Sequence, residues 1–136
     1  MSINSKLDQI AASGTASAAI AEGRFLVRSG AKTVAQASAV ANATGICVGI
    51  SAAAAAGNGS DVRLYQPGQV ARVQAGADLN PATAAHCFLT NDADGKAVAA
   101  GAGDRVMALW LRGAGEDPAA DEFITVLITD QSTIAS

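Results

Sequence analysis

His86 and Cys87 are adjacent side chains that could do nucleophilic chemistry, and His86 is the only histidine of the sequence. A cysteine nucleophile needs a base that converges on the same point as its sulfur. The segment His86–Thr90 is predicted to be a strand, in which adjacent side chains point to opposite faces. The pair therefore does not favour a catalytic dyad, and a small cysteine-dependent hydrolase is a minor hypothesis.

The spacing of possible metal ligands also argues against a metal site. Cys47 and Cys87, with one histidine, fit no zinc pattern, because such a site needs about four ligands. Asn91–Gly95 (Asn-Asp-Ala-Asp-Gly) resembles part of a calcium loop, but Thr90 and Gly101 stand where the first and last carboxylates are required. The same residues favour an Asp-Gly hairpin turn. We expect no metal and two reduced, buried cysteines.

Paired carboxylates could do acid–base work, and four acidic residues lie close together around Pro118: Glu116, Asp117, Asp121 and Glu122. In a loop rich in Gly, Pro and Ala they predict a solvated tip instead. Gly57–Gly59 and Gly101–Gly103 lack the third glycine of a phosphate-binding loop. We therefore predict no catalytic residue and no cofactor, and we do not expect an enzyme.

Composition narrows the possible partners. The chain has 136 residues, of which nine are basic and twelve acidic, giving a net charge of −3. Binding to nucleic acid or to an anionic membrane surface depends on clustered Lys and Arg, so neither partner is expected. No apolar run is long enough to span a bilayer. The N-terminus lacks the basic start and continuous apolar run of a signal peptide, so secretion is not expected.

Residues 23–136 predict a mainly β domain, a small barrel or sandwich of short strands, because short apolar runs alternate with turn residues. Val106–Leu111 and Phe123–Ile128 are apolar on both faces, which is typical of central or interface strands. In Gly45–Ser51, Ile46, Val48 and Ile50 are expected to share one face. The other predicted strands are Arg24–Arg28, Lys32–Ala35, Asp61–Gln66, Val70–Gln74, His86–Thr90 and Lys96–Ala99.

Two features of the β domain are less clearly defined by the sequence: its Ala-rich segments and an internal repeat. The Ala-rich segments Val34–Ala43 and Ala52–Ala56 fit either helix or loop, because Ala favours helices and is poor in strands. A faint internal repeat of about 60 residues pairs Phe25–Val34 with Phe88–Val98, and Ile46–Ser51 with Val106–Leu111. Two such copies packed together would close a compact β body.

Residues 1–22 predict a flexible N-terminal arm, because polar and tiny side chains cannot offset the entropy of ordering the segment. Its large apolar residues would contact a partner, and an arm of this kind can add a strand to an open sheet edge. Spacing also fits a short helix over the first three of them. Deleting residues 1–19 is expected to keep the fold. The candidate partner-binding residues are Ile3, Leu7, Ile10 and Ile20.

Two stretches resemble a known family. Gly45–Ala54 (Gly-Ile-Cys-Val-Gly-Ile-Ser-Ala-Ala-Ala) and Asp61–Val70 (Asp-Val-Arg-Leu-Tyr-Gln-Pro-Gly-Gln-Val) resemble the head decoration proteins of lambda-like tailed bacteriophages. Ile20–Val34 is similar to the opening hairpin of that family. The likeness covers about Ile20–Asp78, and Pro81–Ser136 does not align.

The resemblance implies a β-tulip-like fold and a homotrimer on the outer surface of the virion capsid, assembled in the host cytoplasm. The trimer would bind the phage major capsid protein at threefold and quasi-threefold positions of the expanded head and stabilise it. The four apolar residues of the arm would then be capsid-binding residues. The alternative is a surface or secreted glycan-binding β module, for which Tyr65 and Trp110 are the available rings; Trp110 is expected to be buried in its apolar run.

Overall fold

The computed structural model of the chain describes residues 12–113, 115–131 and 133–135. Within these residues the chain is built mainly of short strands, with one α-helix and one 3₁₀ turn (Ala84–Cys87). The elements are β1 (Ala12–Ala16), β2 (Phe25–Arg28), β3 (Thr33–Gln36), α1 (Ala39–Thr44), β4 (Cys47–Ser51), β5 (Asp61–Tyr65), β6 (Val70–Gln74), β7 (Phe88–Asn91), β8 (Ala97–Ala99), β9 (Ala108–Trp110) and β10 (Phe123–Ile128).

The first half of the chain closes a barrel in the order β1-β3-β2-β4-β5, with β1 returning to pair with β5. Its pairs are antiparallel except β1 with β3, which is parallel. Small residues on β1 suit this small barrel, because Gly14 stands opposite Val62 in the β1–β5 ladder. The barrel core contains Ala16, Ile20, Leu26, Val34, Ala55, Val62 and Leu64.

The second half forms a five-stranded sheet in the order β6-β10-β9-β7-β8. One face of this sheet is buried against β2 and β4 of the barrel, so a single larger core joins the two halves. The alternation of β10, whose Ile124, Val126 and Ile128 are all buried, supplies much of it. Other large members are Phe25, Ile50, Val73, Leu89, Met107 and Trp110. The prediction of a mainly β fold with a small barrel is confirmed.

The two halves share one strand order, as the internal repeat predicts. The strands of the two halves correspond in chain order, β1 to β6, β2 to β7 and so on to β5 and β10. With this correspondence, neighbouring strands of the barrel match neighbouring strands of the sheet. An isolated parallel bridge between Ala75 and Ala97 joins the edges of the sheet, at the place where β1 and β3 pair in the barrel. The second half is thus a more open copy of the first.

The predicted arm is too long. Ala12–Ala16 form β1, which pairs with β5 and β3 and so completes the barrel. Ile20 is 2% exposed in the barrel core and is therefore not an accessible capsid contact. The other candidate contacts, Ile3, Leu7 and Ile10, lie outside the described residues.

The structure changes two local expectations and settles one that the sequence left open. His86 and Cys87 belong to the 3₁₀ turn, because β7 begins only at Phe88. Of the two Ala-rich segments, Val34–Ala43 contributes most of α1 and Ala52–Ala56 has no helix. A register shift between Leu26 and Val27 interrupts the alternation of β4, so that Ile46, Val48 and Ile50 do not share one environment. Ile46 is about half exposed, Val48 packs on the barrel core and Ile50 lies in the larger core.

Candidate interaction surface

His86 and Cys87 are held apart by different partners. The Nδ1 atom of His86 accepts a hydrogen bond from the Asn80 amide at 2.9 Å. The thiol of Cys87 points to the carbonyl oxygen of Trp110, 3.5 Å away. Each side chain is thus tied to the backbone of a different segment, and the two do not form a dyad. In residues 12–113, 115–131 and 133–135, no three His, Cys, Asp or Glu side chains are placed to hold a metal ion.

Cys47 is a buried thiol whose environment suppresses ionisation. The Cys47 Sγ donates to the Gly49 carbonyl oxygen at 3.4 Å. Burial raises the pKa of Cys47 from 9.0 to about 11, and backbone hydrogen bonds at Gly49 and Leu26 offset only part of this rise. Its surroundings are the apolar core, and a thiol kept neutral is a poor nucleophile. Cys47 is therefore a packing residue.

The segment Asp92–Lys96 is a turn that fastens the sheet to the barrel. The Oδ1 atom of Asp92 accepts hydrogen bonds from the amides of Asp94 and Lys96, at 2.8 and 2.9 Å. Gly95 has a positive φ of 78°, which confirms the predicted Asp-Gly turn. The amide of Phe25 in β2 donates to the Gly95 carbonyl at 2.7 Å, so the turn supports the barrel wall.

Acidic residues around Pro118 accept hydrogen bonds that hold their loop in place, a role that the sequence did not predict. Glu116 accepts hydrogen bonds at Oε1 from the Trp110 indole N–H and the Gly113 amide, both at 2.8 Å, and at Oε2 from the Thr125 amide at 3.2 Å. The loop before β10 is thereby pinned to β9 and β10.

Two further carboxylates of this group are also engaged. The Oε1 atom of Glu122 accepts from the Ala119 amide at 2.7 Å. Asp121 forms an ion pair of 2.7 Å with Lys96, and this hydrogen bond and the lysine charge lower the pKa of Asp121. Carboxylates committed in this way are not placed as an acid–base pair.

The outer face of the second sheet carries a continuous row of apolar side chains. Val70 of β6 pairs with Leu127 of β10, Leu127 with Leu109 of β9, and Leu109 with Phe88 of β7. Val70 is 55% and Phe88 44% exposed, and the two leucines between them are half-buried. We call this row the apolar stripe. It crosses four of the five strands, whereas exposed apolar residues on a monomer are usually scattered.

The apolar stripe is extended at its β7 end and beside its middle. Leu111, two residues after Leu109 and 48% exposed, lies next to it beyond the end of β9. Beyond Phe88 the surface continues into a groove of about 250 Å³ lined by Ala85, Ala100, Val106 and Ile134. Such a face is suited to burial against a protein surface, because its burial releases water from apolar area.

Sequence reasoning had found the two central strands of this face but not the stripe itself. Val106–Leu111 and Phe123–Ile128 are apolar on both sides, and β9 and β10 do lie inside the sheet. Val70 and Phe88 belong to runs with no such signal. Only the strand register, which the sequence does not contain, places them in line.

The rings considered for a glycan site are not set out as a platform. Trp110 is 2% exposed, as predicted, and its N–H is used by Glu116. Tyr65 is half-buried and packs on the larger core. In the part of the chain that the structure describes, no helix is long and apolar enough to cross a bilayer.

Comparison with the families of known proteins finds no match, and comparison with curated proteins finds none either. Among solved structures, the chain is similar to the N-terminal base of the head fibre protein gp8.5 of bacteriophage phi29. The TM-score is 0.66 and the sequence identity 19%, and the likeness covers 90% of this chain and 96% of that one. This likeness concerns the fold.

Proposed function

We propose that the chain is a structural protein of a bacteriophage head, without catalytic activity. The observation that carries this proposal is the fold shared with the phi29 head fibre base across nearly all of both chains. The resemblance of Gly45–Ala54 and Asp61–Val70 to lambda-like decoration proteins points independently to a head surface. The finer proposal is a decoration protein that binds the outer surface of the expanded head at threefold and quasi-threefold positions.

The apolar stripe is proposed as the contact between the subunits of a homotrimer. Lasting homo-oligomer contacts are more apolar than transient ones, and on this face apolar side chains of four neighbouring strands form a continuous row. Burying Val70 and Phe88 against neighbouring copies would remove their exposed surface from water. A trimer would also present three N-terminal segments at once, which raises their effective concentration at a threefold position.

Ile3, Leu7 and Ile10 are proposed to contact the phage major capsid protein. Ile20 is not part of this proposal, because it is buried in the barrel core. A protein that binds only the expanded shell stabilises that state by mass action, with no chemistry required. The acidic balance of the chain fits an outer position, where no contact with packaged nucleic acid is needed.

Co-sedimentation tests attachment. The purified chain is mixed with expanded and with unexpanded heads of the phage that encodes it, and the pelleted protein is quantified. Binding to expanded heads alone, together with slower release of nucleic acid on heating, is expected. Absence from the pellet of expanded heads would refute the proposal.

The trimer is tested by its mass in solution. Light scattering is expected to give three times 13.4 kDa for the native chain. Phe88→Asp and Val70→Asp, at opposite ends of the apolar stripe, should each shift the mass towards the monomer. The matched control is Val40→Asp on α1, 63% exposed and outside the stripe, which should leave the trimer intact. If the stripe variants stay trimeric, the subunit contact lies elsewhere.

A further inference from the structure

The barrel of this chain is open at one end, and the opening forms a cleft of about 700 Å³ between β1, β3, β4 and β5. The pairing register explains why. Only Thr15 and Ala16 of β1 pair with β3, so Ala12–Gly14 extend beyond that strand. Likewise only Ile50 and Ser51 of β4 pair with β5, which leaves Val48 outside the ladder.

The floor of the cleft is apolar. Val34, Val48 and Leu64 line it, and all three belong to the barrel core or pack on it. Gly14 adds no side chain at this point, which keeps the cleft open. An aliphatic side chain entering from outside would therefore continue the core of the barrel.

The rim of the cleft is cationic. Arg28, Lys32 and Arg63 line it, together with one acidic residue, Asp61. All four are exposed. In the described residues neither Lys32 nor the two arginines form an ion pair, and the Arg28 guanidinium donates to the Ala31 carbonyl at 3.0 Å. Three of the nine basic residues thus surround one opening of a chain whose net charge is −3.

We infer that the cleft is a peptide-binding site for an extended segment of a partner protein, in which an aliphatic residue is flanked by carboxylates. The aliphatic side chain enters the floor formed by Val34, Val48 and Leu64. The flanking carboxylates pair with the three cations of the rim, whose charge is complementary. The backbone of the segment lies along Ala12–Gly14, where β1 has no β3 neighbour, as in strand addition. This site does not depend on attachment to a phage head.

The test is titration of the full chain with a fluorescently labelled synthetic peptide in which leucines alternate with aspartates, capped at both ends. Micromolar binding that weakens with added salt is expected. Replacing the leucines by serine, or the aspartates by lysine, should each abolish it. Equal binding of the serine peptide would overturn the inference, since the floor would then be unused. No binding at all would also overturn the inference. A second copy of the chain or its first eleven residues would then be the occupants to test.

Charge variants locate the site. Arg63→Glu and Lys32→Glu alter exposed rim residues, and each is expected to weaken peptide binding by about tenfold. Arg72→Glu on the outer face of the second sheet carries the same charge change away from the cleft and is the control. Circular dichroism and thermal melting check that all three variants fold. If Arg72→Glu weakens binding as much as the rim variants, the cleft is not the binding site.

Discussion

At the scale of single residues, Cys47 makes the stability of the chain depend on pH in the alkaline range. Burial raises its pKa from 9.0 to about 11, so the folded chain keeps its proton where the unfolded chain loses it. The stabilisation is fully present below pH about 9 and is lost as the pH rises through about 11. Urea unfolding should therefore show a falling free energy of unfolding over this range. Cys47→Ala should show a smaller fall, and an equal fall would contradict the assignment.

At neutral pH, the free energy of unfolding is expected to depend on Glu116. Its carboxylate accepts three hydrogen bonds, including that of the buried Trp110 indole. Glu116→Ala should lower the free energy of unfolding by about 2–3 kcal/mol, because Trp110 loses its acceptor. Chemical denaturation followed by tryptophan fluorescence measures this change. Asp117→Ala, at an exposed neighbour that accepts no such bonds, should change it by less than about 0.5 kcal/mol.

Local chemistry could be predicted from the sequence where it depends on neighbouring residues. The Asp92 turn was identified because its acceptor and its glycine lie within five positions. The role of Glu116 could not be, because its partner Thr125 becomes its neighbour only when β10 pairs in the sheet. The surface at Val70 and Phe88 was missed for the same reason.

At the scale of elements, Gly49 allows the close approach of β4 to the backbone of β5. A Cβ atom at Gly49 would collide with the carbonyl oxygen of Tyr65, which is backbone and cannot move aside. Gly49→Ala should therefore destabilise the chain by about 3 kcal/mol or more, measured by thermal and urea unfolding. Gly57→Ala is the matched control, because a Cβ there meets nothing within 4 Å. Similar stability of the two variants would show that β4 and β5 can separate at little cost.

Nine of the ten strands in the described residues were predicted near their observed positions, and the exception, β1, has a physical explanation. Ala12–Ala16 contain no large apolar or β-branched residue except Thr15, so the segment has no strand signal of its own. It becomes a strand because Val62 and Leu64 of β5 fill the barrel, and small residues fit opposite them. Tertiary packing thus outweighs the low strand propensity of Ala12–Ala16, and Ile20 packs in the same core.

At the scale of the whole molecule, the internal repeat explains why so short a chain holds a barrel and a second sheet. Each half has the same circular strand order, and the inner face of the second half packs on the β2–β4 wall of the first. One half of about 60 residues would bury a smaller share of its surface and would be only marginally stable alone. The repeat also leaves the second sheet with an uncovered outer face, which is where the apolar stripe lies. Packing of the two halves on each other forms the larger core, while the exposed face and the open barrel mouth are the two surfaces proposed to bind partners.

Two N-terminal deletions of different length distinguish the residues needed for folding from those proposed for attachment to the head. Deleting residues 1–19, which the sequence predicted to keep the fold, removes β1 and with it both the β1–β5 and β1–β3 pairings. The barrel core would then lose Ala16 and be exposed between β3 and β5, so this variant should melt at a clearly lower temperature or fail to fold. Deleting residues 1–11 leaves every described strand in place and should keep the melting temperature. If the proposed capsid contacts at Ile3, Leu7 and Ile10 are correct, the shorter deletion should nevertheless lose co-sedimentation with expanded heads. A folded 1–19 deletion would show that β1 is dispensable, and full head binding by the 1–11 deletion would move the attachment site onto the barrel or the sheet.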